Sequence, residues 1–438
     1  MSEAQIPDRL PASGGDIASA AMQPMLEMVL GSRLTFTERL DPDTLSRAVR
    51  LLLDLEPVLG CWLDEGLLDA AWVRCPDLGT SAPFSVVESD EPDRDAAAFH
   101  STPFGPKAPR LAAVLLRSRD HDDLCVRFDH VAGDGWSGKE VTHLLAETYT
   151  RLQGDPDYVP PSRLARRPTH ADVWEALSDQ QRAAAADVPK MAFSNWSIKL
   201  EHASARSLAV RSLTLSPERV AAIREHAHVR GATVNEALVA AFVRSVASIS
   251  RPNEGARPGV SVSADARRFA PGAHLDRICN IATTQTVLMD YRHGETFDET
   301  LQHVVDGVKP WRECLWSIGS SFGHEASDSR PPKPVVLRTM FGFLTAIMRV
   351  SHAAALVTMN VGALDEERIA FGSARPSRAV VTGPIPRFSG FATTISSYRG
   401  AVTLWMGFRE NRTSPGLVER CLTGIDEQLG SVVQAAPA

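Results

Sequence analysis

The sequence has few cysteines, no excess of basic residues and no long apolar run, and each shortage argues against a class of protein. Its six cysteines are scattered over 438 residues without a Cys-x-x-Cys pair, which predicts reduced thiols and a cytoplasmic location. A net charge of −7 and the lack of a basic run argue against nucleic-acid binding. No apolar run approaches the roughly 20 residues that span a bilayer, and the N-terminus lacks the basic-then-apolar order of a signal peptide. Neither nucleic acid nor membrane is therefore an expected partner.

The length predicts more than one domain, since a domain usually holds on the order of 100–200 residues. A proline-rich, charged stretch at 154–170 is the best linker candidate. We therefore predict an N-terminal lobe over residues 1–160, a linker and helical connection over 161–205, and a C-terminal lobe over 206–438. Residues 1–16 are polar and rich in small side chains, and we expect them to be loose.

The most informative stretch is residues 129–137, which run Asp-His-Val-Ala-Gly-Asp-Gly-Trp-Ser. Over 124–129, just before it, apolar and polar residues alternate with the period of a half-buried strand. After it, Ser137 and Glu140 have the spacing of a capping box that opens a helix. A glycine-rich loop between a strand and a helix is well suited to present a reactive side chain to a ligand.

His130 and Asp134 are the candidate functional side chains of this loop. A histidine titrates near neutrality and can accept a proton at working pH. Asp134 either orients the imidazole or ties the loop to a cationic group elsewhere, and the spacing alone does not choose between these roles. For an isolated His-x-x-x-Asp-Gly, an ordinary loop histidine with a turn-forming aspartate is the commoner explanation. No cluster of histidine, cysteine or carboxylate with ligand-like spacing stands beside the pair, so no metal site is predicted.

Residues 129–137 resemble the His-His-x-x-x-Asp-Gly region of the condensation-domain superfamily. This superfamily includes nonribosomal peptide condensation domains, polyketide-associated acyltransferases, plant BAHD acyltransferases and chloramphenicol acetyltransferase. The second histidine of the motif, which is catalytic in the family, corresponds to His130. The first corresponds to Asp129, and BAHD members also lack a histidine there. Weaker matches in the same order extend the resemblance from about Leu40 to the C-terminal helix.

The resemblance implies an α/β (α+β) fold of two chloramphenicol acetyltransferase-like lobes. The lobes would form a V with a tunnel between them, and His130 would lie midway along it. In the family, an arginine that follows a strand pairs with the aspartate of the motif. Here that arginine is Arg267, in the sequence Asp265-Ala266-Arg267. The resemblance therefore implies a structural ion pair between Asp134 and Arg267.

Three further groups become candidates for binding the oxyanion or lining the tunnel. Acyl transfer passes through a tetrahedral oxyanion that needs hydrogen-bond donors nearby. The candidates are the backbone N–H of Gly135 and the side chains of Asn360 and Ser396. Asn360 lies in an Asn-x-Gly element that the family places near its tunnel.

An apolar segment, Met340–Met348, is predicted to form a buried helix because it is apolar on all sides. Two interpretations remain open for Phe341, Phe343 and Ile347. They are either ordinary core residues, as most apolar runs are, or the wall of a pocket at the acyl end of the tunnel.

The implied reaction is acyl transfer from a thioester to an amine or alcohol, in bacterial natural-product biosynthesis. The donor would be an acyl-CoA or an acyl or peptidyl carrier protein with its phosphopantetheine thioester. The acceptor would be a small-molecule amine or alcohol. No tightly bound cofactor and no metal are expected, and we expect a monomer. The alternative is a catalytically silent relative that docks a carrier protein or a partner enzyme.

Overall fold

Helices and short strands alternate through the first part of the chain. The computed structural model describes residues 5–78, 83–186, 207–272, 275–314, 333–351 and 355–434. The helices of the first part are α1 (Gly14–Ala21), α2 (Pro42–Leu55), α3 (Pro92–Ser101), α4 (Gly135–Gly154), α5 (His170–Ala176) and α6 (Asp179–Ala186). Its strands are β1 (Arg9–Pro11), β2 (Leu26–Glu27), β3 (Val29–Phe36), β4 (Cys61–Glu65), β5 (Ala70–Arg74), β6 (Phe84–Glu88), β7 (Leu111–Arg117) and β8 (Asp122–Asp129).

The second part repeats this mixture with longer strands. Its helices are α7 (Pro217–Val229), α8 (Val234–Ser250), α9 (Phe297–Cys314), α10 (Pro334–Ser351) and α11 (Pro415–Gln434). Its strands are β9 (Leu208–Leu215), β10 (Gly259–Asp265), β11 (Ala282–Leu288), β12 (Ala355–Ala363), β13 (Arg378–Thr382), β14 (Ile385–Pro386), β15 (Gly390–Tyr398) and β16 (Ala401–Arg409). The predicted mixed α/β class is confirmed.

A five-stranded sheet in the order β13-β3-β8-β7-β6 forms the frame of the N-terminal lobe. Successive residues of a strand face opposite sides of a sheet, and β8 shows the result. Val126 and Phe128 belong to the main core, in which α2 and α4 pack on the sheet. Cys125 faces the other side, where it packs with Ala96 of α3. The strand that ends at the motif is thus covered by helices on both faces.

Strand β13 crosses from the C-terminal part of the chain into this N-terminal sheet. It pairs antiparallel with β3, with Val381 opposite Ser32. The preceding strand β12 and the later strand β15 belong to the second large sheet, whereas the short strand β14 that follows β13 pairs with β2. The sheets therefore do not divide cleanly at the predicted linker, and the domain boundaries stay a prediction.

The second large sheet has the order β11-β10-β12-β15-β16-β9 and supports the other side of the motif loop. Helices α8 and α11 pack together over its core. The predicted hairpin of β15 and β16 is present, and its two-residue turn places Arg399 and Gly400 at φ values of 48° and 76°. Positive φ at both turn positions matches the right-handed twist of the paired strands.

Local capping signals set several helix starts. Asp41 accepts the N–H of Thr44 and Pro42 is the first residue of α2, as the sequence predicts. Thr233 opens α8 in the expected capping box with Glu236. The prediction that Ser137 caps the motif helix is wrong, because Asp134 is the N-cap of α4.

No single helix within the described ranges is long and apolar enough to cross a membrane. Helices α7 and α8 pass that test only as a pair, and the chain bends by 97° between them.

Candidate active site

The motif loop begins where β8 ends, and Asp129 shapes its first turn. The carboxylate of Asp129 accepts the N–H of Val131 at 2.9 Å and lies 3.4 Å from Nη1 of Arg110. Burial raises the pKa of Asp129, against the opposing effect of Arg110. The N–H of His130 donates to the carbonyl of Met28 at 2.9 Å. The residue that replaces the first motif histidine is therefore a hydrogen-bonded part of the loop.

Asp134 joins the other end of the loop to the C-terminal part of the chain. Its N–H donates to the carbonyl of Cys279 at 3.1 Å. Its Oδ1 accepts the N–H and the hydroxyl of Ser137, at 3.1 and 3.0 Å. Its Oδ2 accepts the N–H groups of Ile281 and Ala282, both at 3.0 Å. The side chain of Asp134 thus caps α4 and receives the chain that leads into β11.

Arg267 supplies the positive charge that this buried carboxylate needs. Its Nη1 lies 2.9 Å from Oδ2 of Asp134 and 3.0 Å from Oδ1 of Asp265. Its guanidinium lies 4.2 Å from the ring centroid of Trp136, and Nη2 lies 3.1 Å from Sγ of Cys279. The ion pair implied by the family resemblance is present in the structure.

The electrostatic balance keeps Asp134 ionised. Burial alone raises the pKa of a carboxyl group. Arg267 and the N–H groups of Ile281 and Ser137 outweigh that effect and hold the pKa of Asp134 below its ordinary value. Both oxygens are occupied by these contacts, so the structure uses Asp134 to anchor the loop. It does not use Asp134 to orient the imidazole of His130.

His130 stands between these two anchors. Its side chain is half-buried, and its Nδ1 is buried without a hydrogen-bond partner in the described part of the chain. The loop backbone is fixed on one side by Asp129 and on the other by Asp134. The arrangement therefore presents the imidazole at a fixed place, and its Nδ1 is not used in a hydrogen bond with any described residue. Its catalytic role stays a prediction.

Gly135 lets the first turn of α4 approach β12. A Cβ added to Gly135 would lie 2.8 Å from Cγ1 of Val361, closer than real side chains pack. One turn later, Nζ of Lys139 lies 3.4 Å from the carbonyl of Ala363. The two halves of the fold thus meet directly beside the motif.

Asn360 lies next to this contact, and its side-chain amide already forms two hydrogen bonds. Its Oδ1 accepts the N–H of Gly362 at 2.9 Å, and its Nδ2 donates to Asn235 at 3.0 Å. The register between β12 and β15 shifts between Asn360 and Gly362, and Gly362 has a φ of 77°. One Nδ2 hydrogen of the exposed side chain remains for another acceptor, and its use in an oxyanion site stays a prediction.

Ser396 is bonded elsewhere. Its side chain is buried, and its Oγ accepts the N–H of Val381 at 3.1 Å. Ser396 therefore helps to hold the crossing strand β13 against β15. The structure gives it this structural contact, and its proposed role at the oxyanion stays a prediction.

The apolar helix α10 is not buried on all sides, so that expectation is wrong. Phe341 is buried and packs with Ile17 and Ala18 of α1. Phe343 is 67% exposed and Ile347 is 45% exposed. Among the described residues, α10 packs on α1 through Leu337 and Phe341 and pairs with Glu65 of β4 through Arg338, whereas Phe343 and Ile347 lie on the exposed side. Phe343 and Ile347 are not core residues, and the acyl-pocket interpretation stays a prediction.

A buried network behind the motif loop involves residues that were not predicted. Arg167 donates to the carbonyl of Ala132 at 2.6 Å and to the carboxylate of Asp16 at 2.8 Å. Asp16 also accepts from Trp72 Nε1 at 2.9 Å and from Asn280 at 3.2 Å. The N-terminal segment around Asp16 is therefore fixed, and the expectation that residues 1–16 are loose is wrong for it. The capping box of Ser13 and Asp16 is the signal that was available in the sequence.

Comparison with known proteins places this geometry in a fold family. No family model matches the chain, and no curated protein matches it in sequence. Among solved structures, polyketide synthase associated protein 5 from Mycobacterium tuberculosis matches 97% of this chain and 99% of its own, with a TM-score of 0.66 and 14% identity. The first condensation domain of the CDA synthetase matches 98% and 97%, with a TM-score of 0.64 and 16% identity.

The chain has the condensation-domain fold. The epimerization domain from the third module of tyrocidine synthetase B also matches 99% of both chains, with a TM-score of 0.63 and 12% identity. Coverage of nearly the whole chain confirms the predicted two-lobed architecture. Because the identities are low, these similarities establish the fold, and the reaction is a separate question.

Proposed function

We propose that this chain transfers an acyl group from a thioester to an alcohol or amine, with His130 as the general base. The observation that carries the proposal is the position of His130, on a loop fixed by Asp129 and Asp134, with an Nδ1 that has no hydrogen-bond partner among the described residues. The shared fold with condensation domains and a polyketide synthase associated protein supports a place in natural-product biosynthesis. It also favours a carrier protein as the partner, with acyl-CoA as the other candidate donor.

The chemistry requires one proton acceptor and one oxyanion site. Since Nδ1 of His130 is buried, we assign the proton transfer to Nε2. Nε2 takes the proton from the acceptor hydroxyl or amine as its oxygen or nitrogen attacks the thioester carbonyl carbon. The resulting oxyanion would be stabilised by the Gly135 N–H or by the remaining Nδ2 hydrogen of Asn360. Collapse of the oxyanion then breaks the C–S bond, and the leaving thiolate receives the proton from the imidazolium and departs as the thiol.

Product formation with a defined donor tests this proposal. The purified protein would be incubated with acyl-CoA, or with an acylated carrier protein, and a panel of amines and alcohols, and products would be identified by mass spectrometry. We expect His130→Ala to lower turnover by roughly two to four orders of magnitude, the usual contribution of positioned acid–base catalysis. Circular dichroism would show that the variant is folded. A folded variant with wild-type turnover rules out the role of His130.

Asp129 favours a second candidate function, because the family motif has a histidine at this position. In this alternative the chain is catalytically silent and docks a carrier protein or a partner enzyme. It predicts that no donor and acceptor pair gives product, while a carrier protein still binds. Titration of the carrier protein into wild type and His130→Ala, by calorimetry, separates binding from turnover.

A further inference from the structure

A cavity of about 830 Å³ lies between the two halves of the fold, away from the motif loop. It is enclosed by α3 and β3 on one side and by β9, β13 and β16 on the other. None of residues 129–137 lines it. Its volume falls within the range of about 300–1,000 Å³ that is usual for small-molecule sites. The proposed acyl-transfer function does not account for it.

Basic side chains dominate the wall of this cavity. Among the described residues, a single carboxylate, that of Asp93, lines it together with five arginines: Arg33, Arg94, Arg211, Arg378 and Arg409. Four of the arginines form five ion pairs, and four of these pairs lead to carboxylates outside the lining, on Glu27, Glu91, Asp123 and Glu419. The described lining of the cavity therefore carries more positive than negative charge.

Arg378 differs from the other four. It is exposed at the start of β13, and it forms no ion pair within the ranges that the structure describes. No described residue accepts a hydrogen bond from its guanidinium, so the described part of the chain leaves its N–H donors to a ligand or solvent. Because β13 is held between β3 and β15, the backbone that carries Arg378 is fixed.

Three side chains that line the cavity also carry buried nitrogen atoms without partners among the described residues. In the described part of the chain, Nε of Arg33, Nε of Arg409 and Nε2 of His100 are buried and lack a hydrogen-bond partner, and all three residues line the cavity. Buried polar groups are nearly always hydrogen-bonded, to protein or to ordered water. His100 is 5% exposed, and its Nδ1 lies 3.4 Å from Oγ1 of Thr382. Burial, with Arg33 and Arg127 nearby, lowers the pKa of His100 to about 3, so its imidazole is neutral.

We propose that this cavity binds a small phosphate-bearing molecule, with Arg378 as the main guanidinium contact. The planar guanidinium fork matches phosphate and carboxylate oxygens in pairs. Donors from α3, β3, β13 and β16 converge here, which is more than the two oxygens of one carboxylate can satisfy. A phosphate or pyrophosphate group offers enough acceptor oxygens for them.

Isothermal titration of the full chain with inorganic pyrophosphate, ADP and adenosine tests the proposal. Pyrophosphate and ADP are expected to bind, and adenosine, which lacks the phosphates, is not. Binding of pyrophosphate but not ADP would identify the ligand as a free phosphate compound. Binding of ADP more tightly than pyrophosphate would identify a nucleotide. Either result supports the site, whereas equal binding of adenosine and ADP, or no binding of any phosphate compound, overturns it.

Three variants locate the site. Arg378→Ala is expected to lower the affinity about tenfold, as loss of a charged hydrogen-bonding group does. Arg224→Ala removes an exposed arginine of α7 outside the cavity and should leave the affinity unchanged. Ala97→Trp fills the cavity from α3 without a change of charge and should abolish binding. Equal affinities for Arg378→Ala and Arg224→Ala overturn the assignment. His130→Ala should still bind ADP, because His130 does not line this cavity, so the test does not depend on the proposed acyl transfer.

Discussion

Oδ2 of Asp134 lies 2.9 Å from Nη1 of Arg267, although 133 positions separate the two residues. Asp134 caps α4, which carries the motif, and Arg267 follows β10 of the second large sheet. The pair therefore connects the two halves of the fold directly beside His130. Both side chains are buried, at 1% and 7% exposure, so neither charge is well solvated once its partner is lost.

Removing the arginine should cost far more stability than removing a surface charge. Arg267→Ala leaves Asp134 buried and unpaired, and breaking a buried pair costs roughly 3–5 kcal/mol. Urea unfolding at pH 7, followed by tryptophan fluorescence, measures the loss. Arg9→Ala is the matched control, since the ion pair of Arg9 with Asp64 is exposed and worth about 0–1 kcal/mol. Equal losses in the two variants would contradict a structural role for the buried pair.

The contribution of Asp134 should also depend on pH in one direction. Its pKa is lowered in the folded state, so its stabilising effect is complete above the unfolded pKa of about 4 and is lost as the pH falls through the folded value. The difference in unfolding free energy between wild type and Asp134→Asn should be largest near neutrality and should shrink below about pH 4. Urea unfolding from pH 7 to the lowest pH at which both proteins fold provides the curve. A difference that does not change with pH is evidence against this linkage.

Sequence reasoning succeeded where the determining partners lie a few residues apart. The caps at Asp41 and Thr233 depend on residues within one helical turn, and both are present. It failed at Ser137, because Asp134 and Ser137 are both good N-cap residues and the choice depends on Arg267 and the chain at Ile281. Composition cannot reveal such distant partners.

Contacts between residues far apart in sequence also limited what could be predicted about the candidate site. Family resemblance, not periodicity, supplied the contact of Asp134 with Arg267. The contact of Asp16 with Arg167 was missed because 151 positions separate the two residues. The exposure of Phe343 was missed because a helix that is apolar all round is normally buried, and only the packing on α1 shows which face is covered.

Placing at position 129 the histidine of the condensation-domain motif should destabilise this chain. Asp129→His removes the carboxylate that accepts the N–H of Val131 and places an imidazole beside Arg110. Loss of a buried hydrogen-bond partner costs about 1–3 kcal/mol. Asp129→Asn keeps an acceptor oxygen and should lose less, and urea unfolding compares the two. If Asp129→His is as stable as wild type, the aspartate does not shape the loop.

The contact of Gly135 with Val361 should appear as a coupling energy. Gly135→Ala places a Cβ 2.8 Å from Cγ1 of Val361, and such overpacking costs typically about 1–3 kcal/mol. Val361→Ala makes room for the new methyl group, so the double variant should be more stable than the sum of the single losses predicts. A double-mutant cycle of unfolding free energies measures this. Gly154→Ala, at the open end of the same helix, has no neighbour within 4 Å and is the control; additive losses would contradict the contact.

Gly342 offers a test of the acyl-pocket interpretation of α10 that does not depend on protein stability. No atom lies within 4 Å of a Cβ added there, and leucine favours a helix by about 1 kcal/mol over glycine. Gly342→Leu should therefore fold normally. If the exposed face with Phe343 and Ile347 borders the acyl end of the tunnel, the leucine should shift the preferred donor toward shorter chains. Apolar pockets discriminate by roughly 1–3 kcal/mol per methylene, so kcat/KM for long donors should fall at least about tenfold while short donors are unaffected.

The measurement is a kcat/KM series with thioesters from acetyl to decanoyl. Gly342→Ala is the matched control, because it stabilises the helix by a similar amount without adding bulk beyond one methyl group. Its donor profile should resemble that of wild type. If α10 forms a wall of the acyl pocket, a leucine at position 342 must occupy space that a longer acyl chain needs. A folded Gly342→Leu variant with an unchanged donor profile would therefore show that α10 does not form that wall.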